Sequence, residues 1–194
     1  MSGLAVDTYF TFCKGLPLPA LRTACAEQGA KPFRDSGEQP DGWSWIAHEA
    51  YVAEGRGGQD PWRLARTLSG YRRMGAAPVE TVFLASTPAC ACPHGRHVRV
   101  PHCPEHPIQF AYFKAGWEQL YFNLGSRRES SRGGTQSDLL TRELLTAGLV
   151  GRDAHGYDEN PDFNADGHHT IRILTTHFGL PSPPLHLTGH ADGS

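Results

Sequence analysis

The segment Cys90–His106 concentrates residue types that bind transition metals. It holds three of the five cysteines and four of the eleven histidines in a chain of 194 residues. One pair of donors is Cys90-x-Cys92, and ten residues later a second pair, Cys103-x-x-His106, follows. Two donor pairs at the ends of a closable loop can form a tetrahedral Cys₃His zinc site. We therefore predict that Cys90, Cys92, Cys103 and His106 bind zinc.

Two alternatives stay open for this loop. His94, His97 and His102 are further imidazoles that could replace one ligand or bind a second ion, and the segment could also be a proline-rich surface loop without metal. Its first knuckle is Cys-x-Cys rather than Cys-x-x-Cys, so we assign it to no zinc-finger family. A closed site with four protein ligands stabilises a fold and leaves no open position for catalysis.

A second group of candidate residues lies near the C-terminus. The segments His168–Ile171 and His186–Gly189 each contain His-x-Thr. This pairing resembles the motifs of the two-histidine phosphoesterases, and the resemblance implies that the imidazoles act as acid and base on a cyclic phosphate. Only eighteen residues separate the two motifs, fewer than the two lobes of that family need. The resemblance is thus confined to the two short motifs. The alternative function is a phosphoesterase-like, metal- or histidine-dependent hydrolase that uses the cluster of His and Asp residues near the C-terminus. Its candidate residues are Asp162, Asp166, His168, His169 and His177.

Composition and charge narrow the class of partner. The formal net charge is −2, with fifteen Arg and only three Lys, which argues against dense coating of a polyanion. We favour a protein or a small molecule as the partner over a nucleic acid. No signal peptide and no apolar run of about 20 residues is apparent, so we expect a cytoplasmic protein without a membrane anchor. In that reducing compartment, clustered cysteines favour a metal over disulfides.

The hydrophobic pattern alternates strands with helices over the first two thirds of the chain. Strands are predicted at residues 6–13, 43–52 and 79–85, with helices at 17–29 and 60–75 between them. Two further strands flank a turn at Lys114–Gly116. A capping-box spacing at Thr135 and Asp138 predicts a third helix that ends near residue 148 or 151, and the apolar spacing of residues 171–178 predicts a short last helix. Cys25 shares the apolar face of the first helix, so we expect it in the core rather than in a reactive site.

This order of elements predicts an α+β fold. We expect a mixed sheet of about five strands with helices packed on it, a ferredoxin-like first half being one arrangement, and the Cys/His metal-binding loop as an insertion. Residues 1–124 would form the core with the loop at 88–107. The polar, Gly/Ser-rich residues 125–136 would form a flexible linker, and residues 137–194 a helical segment packed on the core. These elements would position the metal loop beside the sheet. Because a closed metal site has no open position for catalysis, we favour a binding or regulatory role.

Overall fold

The described elements are four helices and nine strands. A computed structural model describes residues 8–28, 35–49, 61–70, 78–86, 89–90, 99–101, 108–124, 132–151, 160, 163–164 and 168–181. The helices are α1 Leu18–Glu27, α2 Pro61–Ser69, α3 Thr141–Thr146 and α4 His168–Phe178. The strands are β1 Thr8–Lys14, β2 Asp35–Glu38, β3 Trp43–Glu49, β4 Glu80–Ser86, β5 Ala89–Cys90, β6 Arg99–Pro101, β7 Ile108–Lys114, β8 Trp117–Leu124 and β9 Arg132–Gly133.

Seven of these strands form one sheet in the order β2-β3-β1-β4-β7-β8-β9, and every neighbouring pair is antiparallel. The class is α+β as predicted, but the prediction of a mixed, five-stranded sheet is wrong. The two additional strands, β2 and β9, are short and polar at the edges of the sheet. Each is held by backbone hydrogen bonds to a neighbouring strand, so it can form without the β-branched and aromatic side chains that are typical of strands. The sequence therefore does not predict it.

The first half of the sheet has the ferredoxin-like arrangement. Its elements follow one another as β1-α1-β2-β3-α2-β4, and its strands lie in the order β2-β3-β1-β4. Because β3 is antiparallel to both β1 and β2, the strands β1 and β2 that α1 connects are parallel, with β3 between them. In the same way α2 connects the parallel strands β3 and β4, with β1 between them. Both helices pack on the same face of the sheet.

Helices cover both faces of the sheet. Alternate residues of each strand point to opposite faces, so Phe10 and Phe12 join one hydrophobic cluster and Cys13 joins another. The first cluster includes residues of α3 and α4, and the second includes residues of α1 and α2. The largest fully buried side chains are Trp43, Phe10, Phe12, Phe110, Phe113 and Phe122. Burial on both faces explains the dense apolar and aromatic sequence of the central strands.

The turn between β7 and β8 positions the residues considered below. Ala115 and Gly116 both have positive φ, at 52° and 82°, which is the pattern of a two-residue type I′ hairpin turn. The turn is anchored on the neighbouring helix, because Gly116 N donates to Ser69 Oγ at 3.1 Å. Ala115 N also donates to Val79 O at 3.3 Å. The first bond holds the end of the hairpin against the C-terminal end of α2, and the second holds it against the residue before β4.

Part of the segment predicted as a linker belongs to the sheet. Residues 125–131 lie outside the described part of the chain, but β9 pairs with Tyr121 and Phe122 of β8. The chain then continues along β8, with Thr135 N donating to Glu118 O at 3.1 Å. Residues 135–140 form turns, and α3 begins only at Thr141 after Leu140, whose φ is 70°.

Among the described helices, none has the length and apolar character needed to cross a bilayer.

Candidate ligand-binding surface at the β7–β8 turn

Five residues form a row of cross-strand partners at one end of the sheet. The register pairs Lys14 with both Trp43 and Glu80, pairs Glu80 with Lys114, and pairs Lys114 with Trp117. Side chains of directly opposed residues lie close enough to interact. The three charged members, Lys14, Glu80 and Lys114, are called the charged row below. Two of the three lysines in the sequence therefore flank one carboxylate.

Both carboxylate oxygens of Glu80 have donors. Lys114 Nζ donates to Oε1 at 2.9 Å, and Tyr112 Oη donates to Oε2 at 2.9 Å. Lys14 Nζ lies 5.6 Å from the centre of the Trp43 ring, within the range of a cation–π contact. The charged row has two cations and one anion, so it carries one net positive charge, and its carboxylate is satisfied within the protein.

These contacts determine the protonation states of Glu80 and Tyr112. Burial alone would raise the pKa of Glu80, but hydrogen bonds from Lys114 and Tyr112 and the charges of Lys114 and Lys14 outweigh it and lower that pKa. Burial, followed by the hydrogen bond to Glu80 and its charge, raises the pKa of Tyr112. Glu80 is thus ionised and Tyr112 protonated at neutral pH. Acid–base catalysis at that pH is most efficient with a group whose pKa lies near 7, so neither residue is suited to it.

The helix α4 covers the buried side of the charged row. The ring centres of Phe178 and Tyr112 are 4.9 Å apart, and Trp43 Nε1 donates to Phe178 O at 3.1 Å. On the same helix, His177 Nδ1 lies 3.2 Å from Glu143 Oε1 of α3. The aromatic contacts hold Tyr112 in place beneath Glu80, which fixes the position of the carboxylate.

An open groove lies on the other side of the β7–β8 turn. It has a volume of about 520 Å³ and is lined by Arg63, Arg66, Thr67, Gly70 and Gly116. We call it the arginine groove. A Cβ atom on Gly116 would lie 3.5 Å from the Gly70 Cα atom, so the two backbones approach closely where the hairpin meets α2. Both arginines are exposed, and none of the described lining residues is acidic.

Trp117 connects these two features along the chain. It directly follows Gly116 of the arginine groove, and it is the cross-strand partner of Lys114 in the charged row. Its side chain is 67% exposed, and only Leu145 is also an exposed large hydrophobic residue in the described part of the chain. A large exposed ring next to cations can bind flat, anionic ligands by stacking and by charge.

Of the predicted zinc ligands, only Cys90 lies within the described residues. It is the last residue of β5, and its backbone pairs with Arg99 of β6, while Ala89 pairs with Pro101. Cys92, Cys103 and His106 lie outside the described residues. Within the described ranges, no group of three or more His, Cys, Asp or Glu side chains is arranged to hold a metal ion.

The residues of the alternative hydrolase do not converge in the described part of the chain. His169 and His177 are eight positions apart on α4, which separates them by about 12 Å along the helix axis. His169 stacks on Phe163 with ring centres 4.3 Å apart, and His177 faces Glu143. His168 is the first residue of α4, and Asp162 and Asp166 lie outside the described residues.

The hydroxyl of the first His-x-Thr motif is also engaged. Thr170 is fully buried, and its Oγ1 accepts a hydrogen bond from Asn164 Nδ2 at 2.9 Å. Asn164 Oδ1 accepts from His169 N at 3.1 Å, so Asn164 satisfies a backbone donor at the start of α4. This Thr170 therefore supports the helix start rather than facing a ligand. The second motif, at residues 186–189, lies outside the described residues.

Cys25 is a core residue, as predicted. Burial raises its pKa to about 12, and burial followed by the charge of Cys25 raises the pKa of Cys13. Both residues are free thiols in the hydrophobic cluster beneath α1 and α2. Because the thiolate is the reactive form, the raised pKa disfavours reaction of both thiols at neutral pH.

Comparisons of the chain with protein-family models, with curated proteins and with solved structures found no match. The charged row and the arginine groove were both missed by sequence reasoning. One signal could have pointed to the charged row: Lys14 and Lys114 each end a strand in a chain where lysine is rare.

Proposed function

We propose that this chain is a cytoplasmic binding or regulatory protein whose central loop is stabilised by zinc. Zinc would be held by Cys90, Cys92, Cys103 and His106, and a partner would bind at the surface around the β7–β8 turn. A protein or a small molecule is favoured as the partner over a nucleic acid, because the net charge of the chain is −2.

The exposed ring of Trp117 is the observation that carries the binding role. It is the cross-strand partner of Lys114 in the charged row, so apolar surface and positive charge adjoin at this end of the sheet. Glu80 of the charged row and Tyr112 beneath it are hydrogen-bonded to each other. Glu80 stays ionised and Tyr112 stays protonated at neutral pH, which suits a binding surface better than an acid–base centre.

The spacing of the donors and one backbone contact support the zinc site. The β5–β6 pairing brings the chain at Cys90 next to the chain at Arg99, four residues before Cys103. The two donor pairs are thus attached to strands that are hydrogen-bonded neighbours. Four prolines, at 93, 101, 104 and 107, restrict the free chain and lower the entropy lost when the loop closes on an ion. The free thiols of Cys13 and Cys25 are consistent with a reducing compartment.

Metal analysis of the untagged protein tests the zinc site. We expect about one zinc per chain, lost in the Cys90→Ser/Cys103→Ser double variant because a site with two remaining ligands binds weakly. Cys25→Ala is the matched control, since it removes a thiol outside the loop and should keep the metal. Zinc content that is the same in the double variant and in the wild type would show that these cysteines are not ligands.

A further inference from the structure

We propose that the arginine groove binds the terminal phosphate of a small phosphomonoester. This inference goes beyond the binding role proposed above, because the groove and the Trp117 ring belong to opposite faces of the sheet. Trp117 pairs with Lys114, which shares with Glu80 and Tyr112 the face that α4 covers. The helix α2, which carries both arginines, packs on the other face together with α1.

The two guanidinium groups belong to one side of a single helix. Arg63 and Arg66 are three positions apart on α2, a spacing that makes their side chains neighbours on the helix surface. The buried side of α2 is formed by Leu64, Ala65 and Leu68, which belong to hydrophobic clusters that include strand residues. Both arginines are exposed and line the groove beside the β7–β8 turn.

Both guanidinium groups are available to a ligand. Among the residues that the structure describes, no acidic side chain forms an ion pair with Arg63 or Arg66. The nearby hydroxyls of Thr67 and Ser69 donate to the backbone oxygens of these arginines and leave their side chains unbonded. Arginine forms paired hydrogen bonds with phosphate oxygens, so two adjacent arginines without a partner suit one phosphate group.

The floor of the groove supplies space but no further hydrogen-bond donor. Gly70 and Gly116 have no side chains, and a Cβ atom on Gly116 would lie 3.5 Å from the Gly70 Cα atom. Gly116 N already donates to Ser69 Oγ at 3.1 Å. Gly70 N donates to Thr67 O at 3.1 Å, and the Thr67 hydroxyl donates to Arg63 O at 2.9 Å. The donors left in the described lining are therefore those of the two guanidinium groups.

The charge of this pair favours a phosphomonoester over a phosphodiester. A terminal phosphate carries a charge of about −1.5 to −2 at pH 7, which two guanidinium groups can neutralise. Each phosphodiester of a nucleic acid strand carries a single charge, and binding along a strand needs a series of cations. The described lining has two cations, and the chain as a whole carries a charge of −2. The groove thus matches one terminal phosphate rather than a strand.

The size of the groove favours a small organic ligand. Its volume of about 520 Å³ lies within the range of roughly 300–1,000 Å³ that is typical of small-molecule sites. Since the arginines are exposed and the floor carries no side chain, the groove can admit the organic part of an ester beside its phosphate.

Isothermal titration calorimetry with methyl phosphate, dimethyl phosphate and inorganic pyrophosphate tests the proposal in low-salt buffer near neutral pH. Methyl phosphate is mostly a dianion there, whereas dimethyl phosphate is a monoanion. We expect the wild-type protein to bind methyl phosphate and pyrophosphate with a Kd of about 1 mM or lower. Dimethyl phosphate should bind about fivefold or more weakly, because it lacks the second charge.

Two double variants test the role of the arginines. Arg63→Gln/Arg66→Gln should bind methyl phosphate and pyrophosphate about tenfold more weakly or worse. Arg63→Lys/Arg66→Lys keeps both charges but loses the paired hydrogen bonds, so its affinity should fall between those of the wild type and the glutamine variant. Arg142→Gln, which changes an exposed arginine on α3, is the matched control and should bind like the wild type. Circular dichroism of each variant verifies the fold.

Four results would overturn the proposal. The first is no binding of methyl phosphate or pyrophosphate at millimolar concentration, and the second is an affinity in the double glutamine variant equal to that of the wild type. The third is dimethyl phosphate binding as tightly as methyl phosphate, because the groove would then not distinguish a monoester from a diester. The fourth is an oligonucleotide without terminal phosphates that binds more tightly than pyrophosphate and loses this affinity in the double glutamine variant, because a strand would then be the ligand.

Discussion

The charged row and the arginine groove adjoin the same turn, but they hold their cations differently. In the charged row, Lys114 is bonded to Glu80, and Lys14 lies over the Trp43 ring. In the arginine groove, the described residues offer no acidic partner to Arg63 or Arg66. The row is built across three strands, whereas both arginines belong to a single exposed helix face.

This difference separates structural charge from charge available to a ligand. Glu80 and its neighbours satisfy one another, so they stabilise the end of the sheet and change little when a ligand arrives. Unpaired arginines contribute little to the fold, but they can form new hydrogen bonds with an anion at no loss of existing ones. Substitutions in the two regions should therefore affect different measurements.

The largest expected effect is the loss of stability in Glu80→Ala. Tyr112 is only 7% exposed, and its hydroxyl loses its acceptor in this variant. Leaving this hydroxyl without an acceptor should lower the free energy of unfolding by about 2 kcal/mol, and the lost ion pair to the exposed Lys114 adds little. Urea denaturation measures the change.

The matched comparison is the Arg63→Gln/Arg66→Gln variant, whose free energy of unfolding should stay within about 0.5 kcal/mol of the wild type. If both variants lose the same stability, the arginines are as structural as Glu80 and the distinction between the two regions fails. Tyr112→Phe should fall between them, with a loss of about 1 kcal/mol for one hydrogen bond.

A smaller effect is expected at the turn that joins the two regions. Gly116 has a φ of 82°, so Gly116→Ala places a Cβ in the left-handed region and should cost about 1 kcal/mol of unfolding free energy. Ala115→Gly relieves the same kind of strain at a φ of 52° and should have the opposite sign or no cost. Thermal or urea unfolding of the pair checks this, and a loss in both variants would contradict the type I′ assignment.

The smallest expected effect is a change in the free energy of unfolding at acidic pH. Because the pKa of Glu80 is lowered by folding, its contribution is complete above the ordinary value of 4.5 and is lost as the pH falls through the lowered value. The stability difference between wild type and Glu80→Gln should be constant near neutral pH and should shrink below about 4.5. The double arginine variant should follow the wild-type acid profile. If the stability difference between wild type and Glu80→Gln instead grows as the pH falls, folding raises the pKa of Glu80.

The central elements of the fold were readable from the sequence, and its edges were not. Strands near β1, β3, β4, β7 and β8 and helices near α1, α2 and α4 are marked by apolar periodicity and by Pro and Gly at their ends. In contrast, β2 has the sequence DSGE and β9 is Arg132–Gly133, neither of which has a pattern typical of a strand. Each forms because a neighbouring strand offers unpaired backbone groups, and this depends on the assembled sheet.

The helix α3 illustrates a different failure. Thr135 and Asp138 have the spacing of a capping box, which predicts a helix from that point. In the fold, the backbone at Thr135 and Gln136 is bonded to β8 instead. Hydrogen bonds with the sheet edge thus took precedence over the local helix signal, and α3 begins at Thr141.

The sequence by itself determined which residues are chemically capable: the Cys and His residues proposed to bind zinc, the scarce lysines and the arginines of α2. These properties belong to individual side chains and to short spacings, so they can be read along the chain. Only the tertiary structure decided that Lys14, Glu80 and Lys114 meet, because antiparallel register joins strands far apart in sequence. The same packing placed Gly116 against Gly70 and left Arg63 and Arg66 without an acidic partner among the described residues. The availability of a charge depends on its neighbours in space, and those neighbours are set by the fold.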